Sequence, residues 1–134
     1  MGVSVENQTL ADARIPYLLK VPAQVRFLSV EPLIGPVRLK LDGIDWVIVG
    51  CESGPRRRSM NIWWARSIAN QCREARSAFW MKQIEIGGTV TEDFTKFPPD
   101  LRIREFPSMI AENEIATALE LDRQIGLANN LFKG

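Results

Sequence analysis

Four apolar, strand-like runs of this chain each end in residues able to do chemistry: Glu6-Asn7, Ser29 with Glu31, Glu52-Ser53 and Lys82-Gln83. Carboxylate, ammonium, amide and hydroxyl groups at such positions suit the binding of a polar ligand by hydrogen bonds. They would also suit a hard cation held by oxygens. A pair of glutamates could serve as acid and base, although no nucleophile accompanies them. The plainer explanation is that strands turn polar where they meet water, which accounts for one such end more easily than for all four. Arg58 closes the run Arg56-Arg57-Arg58, just ahead of a helix-like segment. There it could hold a phosphate or carboxylate, touch nucleic acid, or simply be part of a solvated basic loop. Trp63-Trp64 could stack a base, but helical packing is the simpler role for at least one of them.

Composition removes most other chemistries. The 134 residues contain no histidine and two cysteines. That excludes Ser-His-Asp and Cys-His catalysis and every His-ligated metal site. It also leaves too few ligands for a structural zinc or a Cys₄ iron–sulfur cluster, so no cofactor is expected. Cys51 and Cys72 read as two buried thiols rather than a disulfide, and Glu52 beside Cys51 argues against a reactive thiolate. The net charge of +1 gives no global attraction to nucleic acid or membrane, so any anion site must be local. With 46% hydrophobic residues the chain can bury a core. No run approaches the ~18 apolar residues of a membrane span, and no signal peptide is evident. The expectation is a soluble, cytoplasmic protein.

These residues need elements to position them. Gly2 to Glu6, Val25 to Val30, Trp46 to Val49 and Ala78 to Met81 read as strands. The third is apolar on both faces, as in a parallel sheet covered on two sides. A helix follows Asn7, with Pro16 expected to stop or kink it. Another follows the cap Asn61, with Ala65, Ile68, Ala69 and Cys72 along one face. Residues 37–44 are too short and too interrupted for a crossover helix. Gly87-Gly88 opens an irregular stretch, and Leu101 to Arg104 reads as a short edge strand. After Ser108, a stripe of Ile115, Ala118, Leu119, Ile125, Ala128 and Phe132 predicts a last helix. The βα alternation predicts an α/β fold with a mainly parallel sheet of about four strands. All C-terminal strand ends then lie on one side, bringing Glu6, Glu31 and Glu52 together with Lys82 near them.

Several segments carry a resemblance. They are Gly2-Val3-Ser4-Val5-Glu6-Asn7, Arg14-Ile15-Pro16, Val25 to Leu33 with Gly35-Pro36-Val37, Asp45 to Gly50, Glu52-Ser53-Gly54-Pro55, Lys82-Gln83, and Asp100 to Pro107. Together they resemble a phage-associated family of unknown function, whose full-length members look like radical S-adenosylmethionine proteins. Those members carry a three-cysteine cluster motif in an N-terminal half, on a partial β/α barrel. Cys51 and Cys72 lack that spacing, and Cys51 stands where the family usually has a second glycine. The resemblance implies a half β/α barrel over residues 1–107, without its cluster half, and an added tail helix over 108–134. It also places Glu6, Asn7, Glu31, Glu52, Ser53, Arg58, Lys82 and Gln83 at the pocket face.

The resulting expectation is a binding domain rather than an autonomous enzyme, taking a polar, nucleotide-like or phosphate-bearing small molecule at its strand ends. The alternative is a structural module that associates through open sheet edges. A half-barrel has two such edges and an apolar inner face, which favours a homodimer.

Overall fold

Phe27–Val30 (β2) and Trp46–Gly50 (β3) are buried at every position, and they form the centre of a five-stranded sheet in the computed structural model, which describes residues 1–107. The expected tail helix from Ser108 lies outside the described residues. Gly2–Ser4 (β1) pairs with β2, β2 with β3, and β3 with Ala78–Ile86 (β4), all in parallel. Thr89–Thr91 (β5) adds an antiparallel edge, giving the order β1-β2-β3-β4-β5. Two helices, Gln8–Leu19 (α1) and Ile62–Ala75 (α2), complete a mixed α/β fold.

The pleat sorts side chains onto two faces. Leu28, Val30, Val47, Val49, Phe79 and Met81 point to the helices and join Ala11, Ile15, Leu18, Ala65, Ile68 and Cys72 in the main core. Phe27, Trp46 and Ile48 point the other way and form a second cluster with Ala78, Trp80 and Phe106. Edge-to-face and tilted ring pairs, with centroids 5.1–6.2 Å apart, tie Phe27, Trp46, Trp80 and Phe106 together.

Both helices start at asparagine caps. Asn7 Oδ1 accepts from the Leu10 N–H at 2.9 Å, and Asn61 Oδ1 from the Trp63 N–H at 2.9 Å. Pro16 does not stop α1, which continues for a further turn through Leu19. It sits exposed, while Ile15 and Leu18 around it are held against the sheet, so packing offsets the lost backbone bond.

Residues 37–41 have no helix, but they are not loose. Val37, Leu39 and Leu41 are buried while Arg38 and Lys40 are exposed, so the segment packs as an extended strip. One glutamine from each helix supplies its missing backbone partners. Gln8 accepts from the Arg38 N–H (2.7 Å) and donates to its carbonyl (2.8 Å). Gln71 accepts from the Leu39 N–H (2.7 Å) and donates to the Val37 carbonyl (2.9 Å).

The far side of β4 also departs from expectation. β4 runs on to Ile86, because Gly87 and Gly88 both take positive φ (58° and 80°) and close a two-residue hairpin into β5. In place of a strand over Leu101 to Arg104, a 3₁₀ turn at Pro99–Leu101 is followed by one antiparallel bridge, Trp80 to Arg104. Backbone bonds from the Met81 N–H to the Ile103 carbonyl and from the Glu105 N–H to the Phe79 carbonyl, 2.9 Å each, still cover this edge. Arg104 fastens it: its guanidinium donates to the carbonyls of Met81, Lys82 and Glu92 and lies against the rings of Trp80, Phe94 and Phe97. Of the two open edges expected, the one at β4 is therefore covered.

Candidate functional site

On the face away from the helices, side chains stack in layers up the parallel strands. Gly2, Phe27, Trp46 and Ala78 share the lowest register, and Ser4, Ser29, Ile48 and Trp80 the next. Two residues on along their strands come Glu31 and Lys82, and two past Ser4 comes Glu6; here a register shift in β3 sets Gly50 opposite Gln83. The layers thus pass from aromatic to hydroxyl-bearing to charged toward the C-terminal strand ends.

Glu31 and Lys82 meet in the top layer. Glu31 is 4% exposed, and its Oε2 lies 3.4 Å from Lys82 Nζ. They reach each other over Gly50. A β-carbon there would sit 2.8 Å from Glu31 Oε2 and 2.9 Å from its Cδ, so the bare backbone is what accommodates the carboxylate. One layer down, Ser29 is 1% exposed and its hydroxyl has no hydrogen-bond partner among the described residues. Trp46 Nε1, in the aromatic layer, is likewise buried and without one among them.

Glu52 and Arg58 form the rim. Glu52 accepts from the Arg58 backbone N–H (2.8 Å) and from both arms of its guanidinium (2.9 Å each). This holds the Arg58 guanidinium above its ordinary pKa, first through the Glu52 hydrogen bond, with the charge of Glu6 adding at longer range. Arg57 turns to Glu85 (2.8 Å) and also donates to the carbonyls of Gly54 and Gly88. Of the three consecutive arginines, two are thus matched to carboxylates and Arg56 is exposed.

The other expected site residues have visible structural tasks or none. Asn7 is spent on the α1 cap. Gln83 is buried and donates to the Cys51 carbonyl at 3.2 Å, fixing the end of β3. Ser53 is exposed in the turn. The structure therefore pairs Glu31 with Lys82 and Glu52 with Arg58, and gives Asn7 and Gln83 contacts within the scaffold. Sequence reasoning missed Glu85 as the partner of Arg57, because β4 was expected to end before it. It includes Ser29 with Glu31 among the polar strand ends, but nothing local shows that its hydroxyl lacks a partner among the described residues.

The two thiols are buried and unlinked. Burial pushes the Cys72 thiol up to about 12, with the charge of Glu105 adding. Burial also raises Cys51, with Glu85 and Glu31 contributing against an opposing hydrogen bond from Gln83. Among the described residues, no three His, Cys, Asp or Glu side chains gather as a metal site requires. No described helix is long and apolar enough to cross a membrane.

A concavity of about 920 Å³ lies between α2 and residues 100–107. Trp63 is exposed on its rim with the Arg66 guanidinium 4.6 Å over its ring, and Arg66 is itself held by Asp100 at 2.7 Å. One face of Trp63 is thus already stacked. Trp64 packs against the core.

No curated protein and no solved structure matches this chain. A family model does match, over residues 1–122, and the chain belongs to that family, DUF5131, described as proteins of unknown function.

Proposed function

We propose that this domain is a half β/α barrel, similar to the cluster-free half of a radical S-adenosylmethionine protein, that binds a small polar ligand at its C-terminal strand ends. In a parallel β/α sheet the loops converge on that side, which is where such folds place their sites. The observation that carries the reading is the Ser29 hydroxyl, 1% exposed and without a hydrogen-bond partner among the described residues, two residues before Glu31 of the Glu31–Lys82 pair. An unmatched buried hydroxyl costs about 1–3 kcal/mol, and a polar ligand atom would offset that. The reading is of binding rather than autonomous catalysis, since Glu31 and Glu52 are engaged with Lys82 and Arg58.

The test is a thermal-shift and mass-spectrometric screen with nucleotides, S-adenosylmethionine and other polar metabolites. A saturable ligand is expected, and Lys82→Met should weaken it about tenfold, the worth of one charged hydrogen bond. A ligand bound equally well by that variant would contradict the placement of the site.

A second reading, association into a dimer, has its own observation. The bonds from Val5 N–H to the Ser29 carbonyl and from Phe27 N–H to the Met1 carbonyl show which residues of β1 face β2. The backbone groups of Gly2 and Ser4 therefore point outward, where Arg14 satisfies the Ser4 carbonyl at 2.6 Å. No strand covers this edge among the described residues, which makes it a place for a second copy to pair. Light scattering across a dilution series decides; a monomer at every concentration removes the reading.

A further inference from the structure

We infer that the helix-free face of the sheet is a docking surface for residues 108–134 of the same chain, which follow the described residues. This stands apart from the ligand reading, because it concerns the aromatic layer and not the strand ends. The face is closed, yet little of what is described closes it. Trp46 is 1% exposed, Ile48 0% and Phe27 8%. Their cluster contains no residue of α1 or α2, both of which pack on the other face. Its partly buried members are Ala78 and Trp80, from the sheet itself, and Phe106.

Side chains on a pleated face flank one another without capping one another, so a residue there leaves water only when atoms lie above it. Phe106 does part of this, with its ring 5.8 Å from that of Trp46 and 5.1 Å from that of Trp80. From Phe27 on β2 to Trp80 on β4 is two strand spacings, about 10 Å, which is wider than one phenyl ring. Successive parallel strands such as β1 to β4 occur almost only where both faces of the sheet are covered.

Place, length and pattern make the chain's own continuation the occupant. Pro107 is buried and directly follows Phe106, so residue 108 starts at the margin of the cluster. Wound as a helix, residues 108–134 would reach about 40 Å, against about 20 Å for the width of five strands. Their sequence repeats Ile115, Ala118, Leu119, Ile125, Ala128 and Phe132 at helical spacing, an apolar stripe suited to an aromatic face. The family match also runs on to residue 122, so the stripe through Leu119 is part of the matched domain. A second copy seated on this face would leave the stripes of both chains without a place to bury. With the face filled in cis, association is left to the open edge of β1.

The experiment is paramagnetic relaxation NMR on the full chain. Glu120→Cys, off the stripe, carries a nitroxide; Cys51 and Cys72 are buried and stay unlabelled. The nitroxide is expected to broaden the indole signals of Trp46 and Trp80 and the amide of Phe106, and to spare Ala11 and Leu18 of α1 on the far face. A mixture of nitroxide-bearing, unenriched chains with isotope-enriched, nitroxide-free chains should show no broadening. Broadening in the mixture would assign the cover to a second copy, and no broadening in either sample would put residues 108–134 elsewhere; each result overturns the proposal. In a second measurement, Leu119→Lys should speed hydrogen exchange of the Trp46 indole by about tenfold or more, the worth of one buried leucine. The amides of Ala65 and Ile68 should stay protected, showing that the fold persists. Exchange at Trp46 unchanged by that substitution would equally overturn it.

Discussion

The Glu31 carboxylate reaches the Lys82 ammonium across a strand that belongs to neither: Oε2 and Nζ lie 3.4 Å apart, over the bare α-carbon of Gly50. β2 and β4 are two strand spacings apart, roughly 10 Å. A side chain at the top of β3 would stand between them. Gly50 is thus a requirement of the pair, and its φ is unremarkable, so the need is for space and not for backbone freedom.

Gly50→Ala is therefore expected to destabilise the fold by about 1–3 kcal/mol, the usual cost of overpacking a well-filled site. The new β-carbon would fall 2.8 Å from Glu31 Oε2. Urea denaturation measures the loss. Combining it with Glu31→Ala should return part of it, because the clashing atoms are gone; strict additivity in the double-mutant cycle would refute the account.

Lys82→Met should cost more than the joint change Glu31→Gln/Lys82→Met. Both side chains are largely enclosed, at 14% and 5% exposure. Removing one member of a buried pair strands the other charge, at about 3–5 kcal/mol, whereas replacing both is often near neutral. Equal losses in the single and joint variants would mean that the pair contributes little.

Arg104→Lys keeps the charge but not the planar fork that donates to three carbonyls while lying against three rings. We expect a loss of about 2–4 kcal/mol, from two or more charge-assisted bonds. Hydrogen exchange should also speed up at Met81 and Glu105, whose amides close that edge. Unchanged exchange at those two amides would show that the clamp is not what holds residues 103–105.

The thiols give a pH dependence. Cys72 titrates at about 12 when folded, against about 8.5 in an unfolded chain. The folded state retains a proton that the unfolded state has lost, so this contribution is intact below about 8.5 and declines as pH rises toward 12. Cys51 is raised in the same direction. Denaturation midpoints should fall over that range, and less steeply in Cys72→Ala. At pH 8, a thiol reagent should label either cysteine only as fast as the chain opens; rapid labelling in native buffer would contradict their burial.

What the sequence determined by itself is whatever depends on near neighbours. The alternation of apolar runs established the four parallel strands. Asn7 and Asn61 marked the helix starts, because a cap needs only the next three residues. The cysteine and histidine counts disposed of whole classes of chemistry. The polar strand ends also pointed to one side of the sheet, since parallel strands share a direction. Partner choice was another matter. That Arg57 takes Glu85, that Arg58 takes Glu52, and that Lys82 takes Glu31 follows from strand order and register, which bring residues six to fifty-one positions apart into contact. The strip at 37–41, clamped by Gln8 and Gln71, and the edge closed by Arg104 were invisible for the same reason. Their hydrogen bonds run between distant segments, and neither periodicity nor turn chemistry records them. The unmatched Ser29 hydroxyl is the extreme case: whether a buried donor has a partner is decided by everything packed around it, and so only by the tertiary structure.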